Sequence, residues 1–110
     1  MNLPATKMQS MANLTIVYWR DIPAQVIVKE GRRNAKRQLP DRYQKAIDAA
    51  AMQAGAHETD AYLNDWRRGE PASLNGDIDS LADASIADIE GAYTAERLKT
   101  LIASGGKEAS

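Results

Sequence analysis

The chain has no cysteine and a single histidine among its 110 residues. Without cysteine there are no disulfides, no thiolate metal sites and no thiol nucleophile, so the fold holds without a covalent staple and a reducing compartment suits it. No apolar run approaches the roughly 18 residues of a membrane-spanning helix, and the N-terminal stretch lacks the apolar core of a signal peptide. The expectation is a cytoplasmic protein with no membrane partner. A phosphate-cradling glycine loop, a dinucleotide motif and a metalloprotease helix are also missing.

What is present suits one globular domain: 44 % hydrophobic and 26 % charged residues in a length that supports a single core. The net charge of −1 hides an uneven distribution. Residues 20–45 carry eight basic and three acidic side chains, and residues 70–96 carry seven acidic and no basic ones.

Residues 14–30 form the stretch around which the rest is arranged. Two runs rich in Val, Ile, Thr, Tyr and Trp flank a break at Asp21-Ile22-Pro23, which predicts a β-hairpin. In the first run Leu14, Ile16 and Tyr18 alternate with Thr15, Val17 and Trp19, and both faces are largely apolar, the mark of a central strand. The second run, from Gln25 to Glu30, is apolar on one face only and reads as half exposed. Residues 1–12 have no periodicity and are expected to be a mobile tail, with a second Met at position 11 as an alternative start. After Gly31 comes a basic connector, residues 32–39, either a short third strand or a helical turn. Pro40 opens a helix to about Ala54, with Gly55 as its stop and Tyr43, Ala46, Ile47, Ala50 and Ala54 on one stripe. Thr59 caps a helix over residues 60–68 in which Leu63 and Trp66 face inward. Residues 70–77 have turn composition. Ile78, Ala82, Ile86, Ile89 and Tyr93 keep helical spacing, and Thr94 caps a last helix carrying Leu98, Leu101 and Ile102 before a tail from Gly105. The fold class is therefore α+β: an N-terminal hairpin covered by three or four helices, in a single domain over residues 13–104. Its core pairs Tyr43, Ile47, Ala50, Leu63 and Trp66 with Val17, Trp19, Val26 and Val28.

Chemistry is harder to find. His57 lies in a turn beside Glu58 and Asp60, with no nucleophile motif and no assembled metal ligands. Asp77, Asp79 and Asp83 resemble a calcium loop only superficially, because the glycine and glutamate that close such a loop are absent. No catalytic residue, metal or cofactor is assigned. The strongest charge feature is Arg32, Arg33, Lys36, Arg37, Arg42 and Lys45, which meets phosphates or an acidic protein, or else forms a solvated face pairing with the acidic helix of residues 77–90. Near-zero net charge argues against nucleic acid.

Val17-Tyr18-Trp19-Arg20-Asp21-Ile22-Pro23-Ala24-Gln25-Val26, then Leu39, Arg42-Tyr43, Ala46-Ile47-Asp48, Ala51-Met52, Tyr62-Leu63 and Trp66-Arg67, resemble the small virulence factor domain of bacterial proteins, also found within conserved virulence factor C. The resemblance covers about residues 14–68, leaving the acidic C-terminal region outside, and carries over no catalytic residues. It implies an accessory subunit linked to folate-dependent and corrinoid one-carbon metabolism. The expected function is a small non-enzymatic protein-interaction or accessory subunit, binding through Trp19, Arg20, Asp21, Arg32, Arg33, Lys36 and Arg37. A nucleic-acid-binding module would need the basic stretch contiguous and unpaired. An enzyme would need a pocket that gathers Arg20, Asp21, His57 or Asp48. Because the first strand looks covered on both sides but has one confident partner, either a homodimer pairs through its free edge or residues 35–39 close that edge within the chain.

Overall fold

The alternation of β-branched and aromatic residues builds β1 (Met11–Trp19) and β2 (Ile22–Glu30). In the computed structural model, which describes residues 11–56, 58 and 60–108, they pair antiparallel from Asn13 with Lys29 to Trp19 with Ile22. The turn between them is Arg20-Asp21, earlier than the break expected at Asp21-Ile22-Pro23. Pro23 lies inside β2. It is tolerated there because the register slips at this point: Val17 faces Gln25 while Tyr18 faces Pro23, so Ala24 is the extra residue of a bulge.

The basic connector is a strand, β3 (Arg33–Gln38), joined to β2 by the two-residue turn Gly31-Arg32, where Gly31 takes the positive φ of 63°. β3 pairs with β2 and not with β1. The edge of β1 that the sequence left open is filled from later in the chain, by residues 66–75. β4 (Trp66–Arg68) pairs with residues 17–19 and β5 (Ala72–Asn75) with residues 11–14. Both occupants lie where a longer helix and a plain turn were expected. The sheet order is β3-β2-β1-β4, with β5 also on β1, so β1 and β2 are both interior strands. The edge that motivated self-pairing is thus occupied within the chain.

Four helices complete the α+β fold: α1 (Asp41–Gln53), α2 (Asp60–Asn64), α3 (Ile78–Ala92) and α4 (Ala95–Ala103). Pro40 stands at the N-cap of α1, and the Thr94 hydroxyl accepts from the Arg97 amide to cap α4. Asp77 does the same for α3 through the Ser80 amide. Thr59 and His57, as well as residues 1–10, lie outside the described residues.

Register places Leu14 opposite Val28, Val28 opposite Ala35 and Ile16 opposite Val26, so these residues share a face. That face packs on α1 and α3, and Val26 and Val28 join Tyr43, Ile47, Ala50, Ile78 and Ala82 in one core. α4 closes the layer against α1, contributing Leu98 and Leu101. The expected core holds for Tyr43, Ile47, Ala50, Trp19, Val26 and Val28. Trp66 and Val17 are only partly buried, and Leu63 is not in the core at all: it is 69 % exposed, because α2 ends at Asn64 and the chain turns into β4. Gly105 and Gly106, expected to begin a tail, are buried. The Gly106 amide donates to the Leu101 carbonyl at 2.7 Å, and its own carbonyl accepts from the Asp21 amide at 2.8 Å.

Ile47 is fully buried. Ile47→Ala should lower the unfolding free energy by about 2–5 kcal/mol in a denaturant titration, and an unchanged midpoint would contradict this core. A second outcome concerns alkali. Burial is the leading cause that raises the phenols of Tyr43 and Tyr93 above the ordinary tyrosine value of 10.0. The neutral phenol is the form the fold prefers, so this contribution is intact below pH 10 and is lost as pH climbs from there through the folded values. Tyr43→Phe, which deletes a hydroxyl donating to the Tyr93 carbonyl at 3.1 Å, should flatten the alkaline fall of the melting temperature. A fall as steep as the parent's would exonerate Tyr43.

Candidate functional site

Trp19, Arg20 and Asp21 sit at the tip of the β1-β2 hairpin, and three other segments converge on them. Trp19 is wholly buried. Its indole Nε1 donates to the Tyr62 carbonyl at 2.8 Å, and its ring lies 5.9 Å from that of Tyr62, which meets Trp66 edge-on at 6.2 Å. Arg20 has φ 54°, the one positive φ outside glycine among the described residues. A left-handed side-chain-bearing residue costs about 1–2 kcal/mol, so its surroundings must hold it. They do so on every side. Its amide donates to the Asp65 carbonyl at 3.1 Å, its Nε to Asp65 Oδ2 at 2.8 Å and its Nη1 to the Gly105 carbonyl at 2.9 Å. The guanidinium carbon lies 4.7 Å from the centre of the Trp19 ring.

Asp21 is tied in the same way. Arg67 Nη2 donates to its Oδ1 at 3.0 Å and the Glu108 amide to its Oδ2 at 2.6 Å, while Arg67 Nε donates to the Arg20 carbonyl at 2.8 Å. Around these pairs opens a cleft of about 300 Å³ lined by Arg20, Asp21, Asn64, Asp65, Arg67 and Lys107. Its two carboxylates are each bonded to an arginine, Asp65 to Arg20 and Asp21 to Arg67. Lys107 is the cleft's one cation without an ion pair among the described residues. Neither carboxylate is a free base. Asp48, the other acid considered for a pocket, is an exposed residue of α1 that accepts from Gln44 at 3.0 Å and does not line the cleft.

The basic stretch divides in two. Arg37 reaches the helical side of the sheet, where its Nη2 and Nε donate to Asp79 and Asp83 of α3, both at 2.9 Å. Arg42 pairs with Glu90 at 3.1 Å. Hydrogen bonds to Asp79 and Asp83 raise the Arg37 pKa, and the bond to Glu90 raises that of Arg42. Of the two readings of the connector, the helical turn does not apply, because residues 33–38 are extended. Arg32, Arg33 and Lys36 are exposed and have no ion-pair partner among the described residues. The sequence-predicted residues therefore form two groups: Trp19, Arg20 and Asp21 in the tip, and Arg32, Arg33 and Lys36 along the β2-β3 end, with Arg37 turned away from both.

Asp65, Arg67, Gly105, Gly106 and Lys107, all part of the tip, were not legible as such in the sequence. Arg67 stood out only as part of the Trp66-Arg67 motif, and the glycines carried a backbone signal, since a Gly-Gly pair after a helix marks positive φ, here 72° and 93°.

Fold and site together define a small α+β domain whose five-stranded antiparallel sheet is covered by helices on one face and bears an open cleft lined by ion pairs at one end. The chain belongs to the virulence factor domain family: the family model described as "Virulence factor" matches residues 17–102. The match extends well beyond the motif residues of 14–68, so the acidic α3 and the closing α4 are part of the family unit. No curated protein and no solved structure matches the chain.

The closeness of Gly106 to the tip is testable. A Cβ at this position would stand 2.8 Å from the Trp19 ring, and the φ of 93° disfavours any side chain. Gly106→Ala should therefore destabilise by about 1–3 kcal/mol and red-shift tryptophan emission as the seal on Trp19 loosens. A variant with the parent's stability and spectrum would show that the C-terminal loop does not pack on the tip.

Proposed function

We propose that this domain is a non-enzymatic interaction module, an accessory subunit that docks on an acidic surface of another protein through Arg32, Arg33 and Lys36. One observation supports this above others: within a single basic stretch, the fold neutralises Arg37 and Arg42 against α3 and leaves Arg32, Arg33 and Lys36 exposed and without partners among the described residues. Unpaired cations at a rim steer and select an oppositely charged partner. The nucleic-acid reading needed the whole stretch free for phosphates, and two of its arginines are already occupied. The enzyme reading needed free acids or bases in a pocket, whereas the cleft carboxylates are held by Arg20 and Arg67. A cytoplasmic setting and a role beside folate-linked and corrinoid methyl transfer belong to the same proposal, supported by the family resemblance.

The test is a pull-down from the native host with the parent protein and with Arg32→Gln/Arg33→Gln, read by quantitative mass spectrometry. The expected result is a stoichiometric partner, retained by the parent and depleted about tenfold by the variant at low salt. A partner retained equally by both proteins would sink the assignment, as would no stoichiometric partner.

A further inference from the structure

Alternate residues of each strand face away from α1 and α3. On that side register sets three rows across the sheet. Lys29 stands between Asn34 of β3 and Asn13 of β1, Lys36 faces Ile27, and Arg68 faces Val17. Lys29, Lys36 and Arg68 are exposed and have no ion-pair partner among the described residues. None of the strand positions that register places on this face is Asp or Glu. Glu30, which follows Lys29, pairs in register with Arg33 and alternates onto the helical face, and Glu70 lies in the connector between β4 and β5. With strands about 4.8 Å apart and successive same-face residues about 7 Å apart, the three cations fall within about 17 Å of one another.

The two faces of one sheet are thus treated in opposite ways. On the helical face Arg37 of β3 meets two carboxylates of α3, while Arg33, at the start of the same strand, is exposed. On the other face register sets Lys29 beside Asn13 and Asn34, Lys36 beside the buried Ile27, and Arg68 beside Val17. We infer that this face receives an acidic segment of the partner protein, with Lys29, Lys36 and Arg68 pairing its carboxylates and the neighbouring amides bonding its backbone. The inference rests on the interaction reading above and extends its contact from Arg32, Arg33 and Lys36 across the sheet face to Lys29 and Arg68. A single-stranded nucleic acid would also answer the charge, but its bases need exposed rings to stack on, and no aromatic residue occupies these three rows. Trp66, on the neighbouring end of β4, is already engaged edge-on by Tyr62.

The experiment is a fluorescence anisotropy titration of the full chain with a labelled polyglutamate peptide and, separately, a labelled oligothymidylate. The parent should bind polyglutamate at low salt, lose affinity as salt rises, and bind oligothymidylate more weakly. Lys29→Gln/Lys36→Gln/Arg68→Gln should lose about tenfold or more in affinity with its melting curve unchanged, and the charge-preserving Lys29→Arg/Lys36→Arg/Arg68→Lys should keep it. If the triple variant does not fold, Lys36→Gln alone carries the test, with a loss expected. Failure of the parent to bind polyglutamate, a loss confined to Arg32→Gln/Arg33→Gln, or tighter oligothymidylate binding would each overturn the inference. The second of these outcomes would leave the broader interaction reading standing and move its contact to the turn. The host pull-down decides that reading independently.

Discussion

Trp19 is the point at which this fold closes. Its ring is removed entirely from water at the end of an interior strand, and its one polar atom finds the Tyr62 carbonyl, so burial leaves no donor unsatisfied. Deleting a ring so placed costs about 3–5 kcal/mol, a large share of what a domain of this size has to spare. Keeping it there requires the chain to reverse within two residues, and that reversal forces Arg20 into the left-handed region. The strain is offset by contacts from residues distant in sequence: Asp65 before β4, Arg67 within it, and Gly105 and Gly106 after α4. The hairpin tip, β4 and the C-terminal loop therefore stand or fall together. For the same reason the polar groups at the tip answer to one another.

Charge is segregated by layer. Basic residues concentrated early in the chain form β3 and its flanks, acidic residues concentrated late form α3, and the fold stacks one over the other through Arg37 and Arg42. Exposed pairs of this kind contribute about 0.2–1 kcal/mol each, too little to hold the layers together against the apolar core. They are better placed to fix the register of α3 on the sheet, since a shifted helix would leave Arg37 facing alanine and isoleucine. Once α3 is seated, the cations that point to the other side of the sheet have no acidic layer to meet.

Much of the fold was legible because its periodicities are strong. Period two marked β1 and β2, the 3.6 spacing of Tyr43, Ile47 and Ala50 marked α1, and Thr94 announced the last helix. What could not be read is the set of short strands whose reason for being extended lies elsewhere. β4 has three residues and β5 four, and β5 is exposed throughout. They are strands because β1 offers an edge, and a sequence window of that length holds no trace of the edge. Leu63 was misplaced by the same cause, since α2 stops early to deliver Trp66 to β1. At the site, Trp19, Arg20 and Asp21 stood out, but their partners lie about forty to ninety positions away, beyond any local pattern.

With β1 paired on both sides, the outer edges of the sheet are β3 at one end and β4 with β5 at the other. β3 carries Arg33, Lys36 and Arg37 along its length, and charge of one sign on an edge discourages another strand from adding to it. β5 is short, follows Pro71, and adjoins Gly69, where a Cβ would stand 3.0 Å from Tyr18. Such edges are poor templates for backbone pairing. An edge recognises any extended chain, because its hydrogen bonds are the same for every sequence. A face recognises through side chains, and the face opposite the helices offers Lys29, Lys36 and Arg68 among amides and no strand-borne acid. Under the docking proposed above, a fold that blunts its edges gives up indiscriminate strand addition and keeps a face that discriminates by charge.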